Sequence, residues 1–97
     1  MKIEYDAAKE RQNIKERGIS FDSATTLLER ASHSLSRTGR DYRERRFIAY
    51  GWLRDRLHVC VYTLRGDVYR IISLRRANRR EIGAYRTEIV RRSEEIR

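Results

Sequence analysis

The sequence has no proline and a single cysteine among its 97 residues, and no stretch approaches the ~18 apolar residues that a membrane-spanning helix needs. With one cysteine, Cys60, no disulfide can form within the chain, so the sequence predicts a protein of a reducing compartment, the cytoplasm. The first thirteen residues contain no apolar segment of the kind that directs export. Because no repeats or low-complexity tracts interrupt the chain, we expect residues 1–97 to form one domain.

Acidic residues are scarce in the middle of the chain. Residues 37–80 contain thirteen arginines and only four acidic residues, which accounts for the whole net charge of +9 because the two ends are neutral in sum. Arginine binds phosphate at two points and stacks on bases, so this composition favours nucleic acid over a membrane surface as the partner. An arginine-rich genome would raise arginine along the whole chain, and the neutral ends argue against that explanation.

Apolar periodicity and capping residues predict three helices. Asp6 is placed to cap a first helix, which Gly18 ends because glycine readily adopts the left-handed conformation of a helix C-terminus. Ser20 is the predicted cap of a second helix that starts at once. Asn78, with Glu81 three residues later, has the pattern of a capping box at the start of a last helix. The buried stripe of that helix is predicted to consist of Ile82, Tyr85, Ile89 and Ile96.

Period-two alternation predicts strands in the rest of the chain. The predicted strands are a short one at Ile3 and Tyr5, another at 33–37, and longer ones at 45–53, 57–65 and 68–75. The longer three are separated by segments short enough for tight hairpins. Residues 57–64 are apolar on both faces, which predicts a central strand. The order β-α-α-β-β-β-β-α indicates an α+β fold, an antiparallel meander sheet of four to five strands with two N-terminal helices and one C-terminal helix.

Five arginines surround the junction between the last predicted strand and the last helix. They are Arg70, Arg75, Arg76, Arg79 and Arg80. Backbone N–H groups at a helix start attract anions, so a junction rich in arginine is a candidate phosphate-binding site. The alternative is an exposed loop whose arginines form weak ion pairs with Glu81 or Asp41.

Tyrosines and histidines supply candidates for base stacking and proton transfer. The tyrosines interleaved with arginines are Tyr42, Tyr50, Tyr62, Tyr69 and Tyr85. This pattern is used to stack bases, although tyrosines on strands are also ordinary half-buried residues. His33 and His58 are candidate acid–base groups, but His58 has no carboxylate close to it in the sequence. One cysteine and two separated histidines match no metal-ligand spacing, so we expect no metal and no other cofactor. Arg-Gly-Asp at 65–67 is expected to be only a turn.

The sequence resembles the BrnT family of bacterial toxins in three stretches, "IEYDAAKERQNIKERGISFDSA", "ERRFIAYG" and "VYTLRGDVYRIISLRRANRREIGAY". The resemblance spans residues 3–85. It implies a fold similar to that of RelE-type messenger-interfering ribonucleases, and an antitoxin from an adjacent gene, BrnA, with a ribbon-helix-helix DNA-binding region. The residues that match the family pattern are Lys9, Asn13, Gly18, Phe21, Arg46, Gly51, Tyr62, Arg65, Arg70, Ser73, Arg75, Ala77, Glu81 and Tyr85.

Two departures from the family pattern matter. Tyr5 stands where the pattern has tryptophan, and Glu16 and Arg17 stand where it has lysine and histidine. If that histidine carries protons in the family, another group must do so in this chain.

The residue types suit RNA cleavage that uses the 2′-OH of the substrate as nucleophile, which needs no metal and no protein nucleophile. Arg70 and Arg75 are the predicted phosphate clamps, with Arg46 as a neighbouring electrostatic contributor. The candidates for orienting substrate or moving protons are Tyr62, Tyr85 and, as a base, Glu44. Further RNA contacts are predicted at Arg45, Arg65, Arg76, Arg79, Arg80 and Lys9.

The function predicted from these observations is a metal-independent endoribonuclease toxin that inhibits translation. We expect RNA and a BrnA-like antitoxin as partners, a hetero-oligomer with that antitoxin, and no membrane. The alternative is a non-catalytic basic module that binds RNA or ribosomes, or a co-regulator that modulates DNA binding by the antitoxin.

Overall fold

The computed structural model describes residues 1–31, 33–37 and 45–95, with the backbone alone for residues 33–37 and 89–95. Over that part of the chain the elements are β1 (Lys2–Glu4), α1 (Ala7–Arg17), α2 (Ser23–Glu29), β2 (His33–Arg37), β3 (Arg46–Leu53), β4 (Arg56–Arg65), β5 (Val68–Arg76) and α3 (Arg79–Glu95). Both the α+β class and the order of elements are confirmed. Two residues of the stripe predicted for the last helix, Ile89 and Ile96, lie outside the described side chains.

The five strands form a mixed sheet in the order β1-β5-β4-β3-β2. β2 to β5 pair antiparallel as predicted, with β4 in the centre, but β1 runs parallel to β5. The prediction of a wholly antiparallel meander is therefore wrong for β1. The register of this pair, Lys2 against Val68, joins residues that are far apart in the sequence, and local periodicity carries no information about such pairing.

The ends of the helices follow local capping with one exception. Asp6 Oδ1 accepts the backbone N–H groups of Ala8 and Lys9 at 2.8 and 3.1 Å, and Gly18 ends α1 with a φ of 69°. The prediction that Ser20 caps α2 is wrong, because α2 begins three residues later. Ser20 instead accepts the N–H of Asp22 at 3.2 Å and donates to Glu10 at 3.3 Å, so it stabilises the turn between the two helices.

The main core lies between the sheet and the two N-terminal helices. Leu27 of α2 is fully buried, and on the strands Ala49, Cys60 and Leu74 form one cross-strand row beneath the helices. We call this side of the sheet the α1–α2 face. Leu27 lies so close to Gly51 that a Cβ at Gly51 would be 2.8 Å from Leu27 Cγ. The backbone of β3 therefore packs directly against α2 at this point.

The opposite side, which we call the α3 face, carries the row Tyr50, Val59 and Arg75. α3 covers part of it, since the Tyr85 ring lies 6.1 Å from that of Tyr50 and 6.3 Å from that of Trp52. On this face the side chains of Val59 and Thr63 in the central strand are buried, whereas those of Arg46 and Arg70 on the flanking strands are partly exposed.

A β-bulge in β5 decides which of its side chains lie on the α3 face. The pairing with β4 passes from Val61–Ser73 to Tyr62–Ile71, so Ile72 is an extra residue. The buried residues of β5 are consequently three apart, Ile71 and Leu74, where strict alternation would separate them by an even number. For the same reason Arg70 and Arg75, five residues apart, point to the same face.

Candidate nucleic-acid interface

Two rows of side chains cross the α3 face. One row consists of Arg46, Thr63 and Arg70, directly paired across β3, β4 and β5. The other is the row of Arg75. The rows are four residues apart along β4, which corresponds to ~13 Å at the rise of an extended strand. The structure thus brings three predicted site residues, Arg46, Arg70 and Arg75, to one surface, but it separates Arg70 from Arg75 along the strands.

The strip between the two rows is less polar. It consists of Ile48, Val61 and Ser73, which pair with one another and are all half-buried. A strip of this kind between cationic rows can accept the apolar faces of a ribose or a base while phosphates contact the arginines on either side.

Arg70 forms an ion pair with Glu4 of β1, at 3.4 Å between Nη1 and Oε1. Arg65 reaches the same carboxylate oxygen at 3.8 Å, and both of these partners of Glu4 keep a substantial part of their side chain exposed. Exposed pairs of this type contribute about 0–1 kcal/mol, so a phosphate group can replace Glu4 as the partner of either arginine. Arg65, a predicted RNA contact, therefore lies beside Arg70.

Arg75 is held more firmly. Its guanidinium donates to both carboxylate oxygens of Glu81, at 2.7 and 2.9 Å, and also contacts the carbonyl of Arg76 at 3.3 Å. Glu81 also accepts the backbone N–H of Asn78, and Asn78 Oδ1 accepts the N–H of Glu81, both at 2.9 Å, so the predicted capping box is confirmed. The hydrogen bonds from Arg75 are the main reason that the pKa of Glu81 is lowered from its ordinary value. The alternative considered for the junction, an ion pair with Glu81, is thus the arrangement of Arg75.

Aromatic residues extend the row of Arg75. Tyr50 lies close enough to Arg75 to add to the rise in its pKa, behind the larger effect of the hydrogen bond to Glu81. The ring of Tyr85 contacts both Tyr50 and Trp52, and the side chain of Trp52 is 46% exposed. The structure therefore brings Tyr85, a predicted site residue, to the row of Arg75. Tyr50, one of the tyrosines interleaved with arginines in the sequence, lies in the same row. The structure adds Trp52, which is three alternations along β3 from Arg46, a spacing that could have marked it as facing the same way.

Tyr62 lies on the other side of the sheet. Its ring is 7% exposed in the main core, stacked on Phe47 at 5.3 Å and tilted against Tyr69 at 5.3 Å. The structure does not bring Tyr62 to the arginine rows, so its position gives no support to the role predicted for it.

The other predicted contacts are dispersed. Arg45 is exposed just before β3, and Arg79 and Arg80 are exposed in the first turn of α3. Arg76 ends β5 on the α1–α2 face opposite His58, and Lys9 is exposed on α1. The remaining residues named from the sequence, Asp41, Tyr42, Glu44 and the side chain of His33, lie outside the described part of the chain.

The sulfur and histidine chemistry of the described residues is limited. Burial raises the pKa of the Cys60 thiol to about 12, so this group is not a nucleophile at neutral pH. His58 is buried on the α1–α2 face, with Nδ1 2.8 Å from the carbonyl of Arg56. Residues 1–31 and 45–88 contain no group of three His, Cys, Asp or Glu side chains that could hold a metal ion. In the Arg-Gly-Asp segment, Arg65 ends β4, and Gly66 and Asp67 form the turn to β5.

Comparison with known protein families matches residues 5–81 to the model described as ribonuclease toxin, BrnT, of type II toxin-antitoxin system. The chain belongs to the BrnT family. The matched segment contains both arginine rows and the capping box that holds Arg75. As a family of ribonuclease toxins in type II toxin–antitoxin systems, BrnT implies an RNA substrate and an antitoxin partner for this chain. A comparison with curated protein sequences found no match. None of the helices in the described part of this BrnT protein is long and apolar enough to cross a membrane.

Proposed function

We propose that this BrnT protein is a metal-independent endoribonuclease that binds single-stranded RNA across the α3 face and cleaves it there. The proposal depends on one observation: Arg46, Arg70 and Arg75 lie on the same face of the sheet, because the bulge at Ile72 turns Arg70 and Arg75 to the same side. Three guanidinium groups on a surface that also exposes aromatic rings match the chemistry by which proteins hold a sugar-phosphate chain.

The cleavage step requires that the 2′-OH of one nucleotide be held in line with the leaving 5′-oxygen of the next. The attack forms a bond from the 2′-oxygen to phosphorus and breaks the bond to the 5′-oxygen, which leaves a 2′,3′-cyclic phosphate. The two protons are taken from the 2′-OH and given to the leaving oxygen, and the phosphorane charge must be offset meanwhile. All of these tasks can be performed by side chains.

The rows suggest a division of these tasks. Arg75, fixed by Glu81, has two N–H groups left over from its described hydrogen bonds, and a guanidinium fixed in this way can be aimed at the phosphorane. Arg46 and Arg70 would bind the strand further along. Tyr85 is assigned the proton transfer because its ring packs against Tyr50, which lies close to Arg75, while Glu44 stays a prediction for the base.

As a toxin of this kind, the protein would stop translation by cutting RNA in the cytoplasm. We propose that its antitoxin is a BrnA-like ribbon-helix-helix protein that forms a hetero-oligomer with it, and that the fold is RelE-like. The thirteen arginines of residues 37–80 would attract an acidic antitoxin surface and accelerate its association.

The test is cleavage of a defined single-stranded RNA by the purified protein in excess chelator. Metal-free cleavage should persist there, leave 2′,3′-cyclic phosphate ends, and weaken with salt because phosphate contacts release counterions. Arg46→Ala with Arg70→Ala should weaken RNA binding, and so lower the single-turnover rate at subsaturating RNA and reduce its salt dependence. The matched control is Arg11→Ala with Arg30→Ala, which removes the same charge from exposed positions on α1 and at the end of α2. Loss of all activity in chelator, restored by magnesium, would refute the metal-free mechanism.

The non-catalytic alternative is favoured by one observation, that Arg70 and Arg75 both pair with carboxylates of the protein itself. A module that only binds RNA or ribosomes, or only assists DNA binding by its antitoxin, would shift RNA without cutting it. Intact RNA after prolonged incubation at saturating protein would therefore select this alternative.

A further inference from the structure

A second basic site lies on the opposite side of the sheet from the arginine rows. It is a cavity of about 350 Å³ between the C-terminal end of α1, the turn that follows it, and the β3–β4 hairpin. We call it the hairpin cavity. Its polar lining consists of Arg17, Ser20, Ser23, Arg54, Arg56, His58 and Arg76, and its apolar lining of Ile14, Ile19 and Leu53.

The hairpin cavity is basic. Four arginines line it and no acidic residue does. Arg17 donates to Asn13 Oδ1 at 2.7 Å, which is a neutral acceptor, and Arg54, Arg56 and Arg76 have no side-chain acceptor in the described part of the chain. Guanidinium groups gathered around one concave surface repel one another, and an anion bound among them relieves that repulsion.

His58 adds a buried polar group to the same cavity. The side chain is 5% exposed, and Nδ1 is engaged with the carbonyl of Arg56 at 2.8 Å. When Nδ1 donates to that carbonyl, Nε2 is the ring atom without a described protein partner, and it can donate to an anion when the ring carries both protons. A buried polar atom without a protein partner indicates a place for a bound group.

The backbone holds Arg54 at the rim. Arg54 and Asp55 form the two-residue turn of the hairpin with φ values of 50° and 63°, a left-handed conformation that non-glycine residues adopt at a cost. The neighbouring Asp55 lines a different cavity, of about 220 Å³, on the other side of the hairpin with Trp52 and Ile82. Of the two turn residues, Arg54 lines the hairpin cavity and Asp55 does not.

The hairpin cavity adjoins a smaller cavity that is lined by Trp52 of the candidate nucleic-acid interface. Arg56 and Arg76 line both the hairpin cavity and the smaller cavity beside Trp52. Arg76 follows Arg75 directly in β5. Arg75 on the α3 face and Arg76 on the α1–α2 face are therefore neighbours at this end of the sheet. An RNA strand that leaves the row of Arg75 over this end of the sheet meets Arg76 and Arg56 and then the hairpin cavity.

We propose that the hairpin cavity binds a phosphate group of the RNA strand beyond the nucleotides held on the α3 face. The proposal rests on the proposed function for the identity of the strand, whereas the anion site itself follows from the lining. It makes the protein sensitive to RNA length, because a strand confined to the α3 face cannot reach the cavity.

The test measures binding of RNA that cannot be cleaved. A fluorescein-labelled 2′-O-methyl 12-mer and a trimer are titrated by anisotropy into the protein and into the double variant Arg54→Asn with Arg56→Gln. Asparagine is chosen because it tolerates the positive φ of the turn. The matched control is Arg11→Asn with Arg30→Gln, which removes two charges elsewhere, and thermal melting of each variant checks the fold.

We expect the double variant to weaken binding of the 12-mer at least fivefold and to leave the trimer within twofold of the parent protein. Each lost phosphate contact should reduce the slope of log affinity against log salt by about 0.7. The ring proton resonances of His58, one of only two histidines in the sequence, should shift when the 12-mer binds to the parent protein.

Equal affinity of the double variant and the control for the 12-mer, or unchanged His58 resonances, would overturn the proposal. So would a double variant that binds RNA normally but no longer binds the antitoxin, because the cavity would then hold an acidic protein segment. Because the RNA is uncleavable, absence of ribonuclease activity would refute the proposed function without affecting this result.

Discussion

The Arg75 guanidinium lies against the Glu81 carboxylate with two hydrogen bonds of 2.7 and 2.9 Å, and this pair joins the last strand to the first turn of the last helix. An arginine that fixes a helix can also be aimed at a substrate, because the same contact that stabilises the fold holds the guanidinium in one orientation. The structural role of Arg75 and its proposed catalytic role are therefore separable only by variants that remove one partner at a time.

Replacing Glu81 by glutamine should change how stability depends on pH. The pKa of Glu81 is lowered in the folded protein, chiefly by Arg75, so its ionised form contributes stability that is fully present above the unfolded value of about 4.3. That contribution is lost as the pH falls through the folded pKa. Urea unfolding from pH 7 to pH 3 should show a shallower acid decline for Glu81→Gln than for the parent. Glu29→Gln, an exposed control, should lose stability in acid as steeply as the parent. An equally steep loss in Glu81→Gln would contradict the prediction.

Cleavage should depend on Arg75 more than on its partner. Arg75→Ala removes the donor aimed at the phosphorane, and we expect the single-turnover rate at saturating RNA to fall by ~10²–10³. Arg75→Lys keeps the charge without the two-point geometry and should remain mostly inactive. Glu81→Gln keeps the guanidinium and should lose far less. An equal loss in Arg75→Ala and Glu81→Gln, measured well below their melting temperatures, would indicate that Arg75 acts only by holding α3 in place.

Removing the hydroxyl of Tyr85 should slow the chemistry without disturbing the aromatic contacts. Tyr85→Phe keeps the ring that meets Tyr50 and Trp52, so the melting temperature should stay close to that of the parent. If the hydroxyl moves a proton, the rate at saturating RNA should fall about 10²-fold, with a smaller effect on RNA affinity. Tyr50→Phe is the matched comparison, and a rate for Tyr85→Phe within threefold of the parent would exclude the proton-transfer role.

Two glycines should respond oppositely to alanine. A Cβ at Gly51 would lie 2.8 Å from Leu27 Cγ and 3.0 Å from the Leu27 carbonyl oxygen, so Gly51→Ala should lower the free energy of unfolding by about 1–3 kcal/mol. Gly83 lies in α3 with nothing within 4 Å of such a Cβ, and Gly83→Ala should raise it by about 0.5–1 kcal/mol. Chemical denaturation of both variants checks the pair, and a stable Gly51→Ala would mean that α2 can move away from the sheet.

Asn13 should be the costliest polar residue to remove from α1. Its buried amide donates to the carbonyls of Ile19 and Leu74 at 2.9 and 3.0 Å, and its oxygen accepts Arg17. Asn13→Ala leaves those groups without their partner and should cost about 1–3 kcal/mol in unfolding free energy. Gln12→Ala, one residue earlier on the exposed side of the helix, should change stability by less than about 0.5 kcal/mol. Similar losses in the two variants would show that the α1 contact with β5 matters little.

The features of this protein that its sequence determined are the local ones. Asp6 and Gly18 bound α1, Asn78 and Glu81 cap α3, and the apolar residues of β4 make it the central strand, as the sequence predicts. Each of these depends on side chains within a few positions of the backbone groups they satisfy, or on the composition of one continuous segment.

The arrangement of the candidate site was decided by the tertiary structure. Strict alternation would have placed Arg70 and Arg75 on opposite faces, and only the pairing of β5 with β4, with Ile72 bulged, turns them to the same face. The same pairing puts Tyr62 opposite Ile71 in the core, although Arg65 lies only three residues from it in the sequence. Strand register and bulges are selected by the packing of residues far apart in the chain, and a single sequence read locally holds no record of which partner each residue meets.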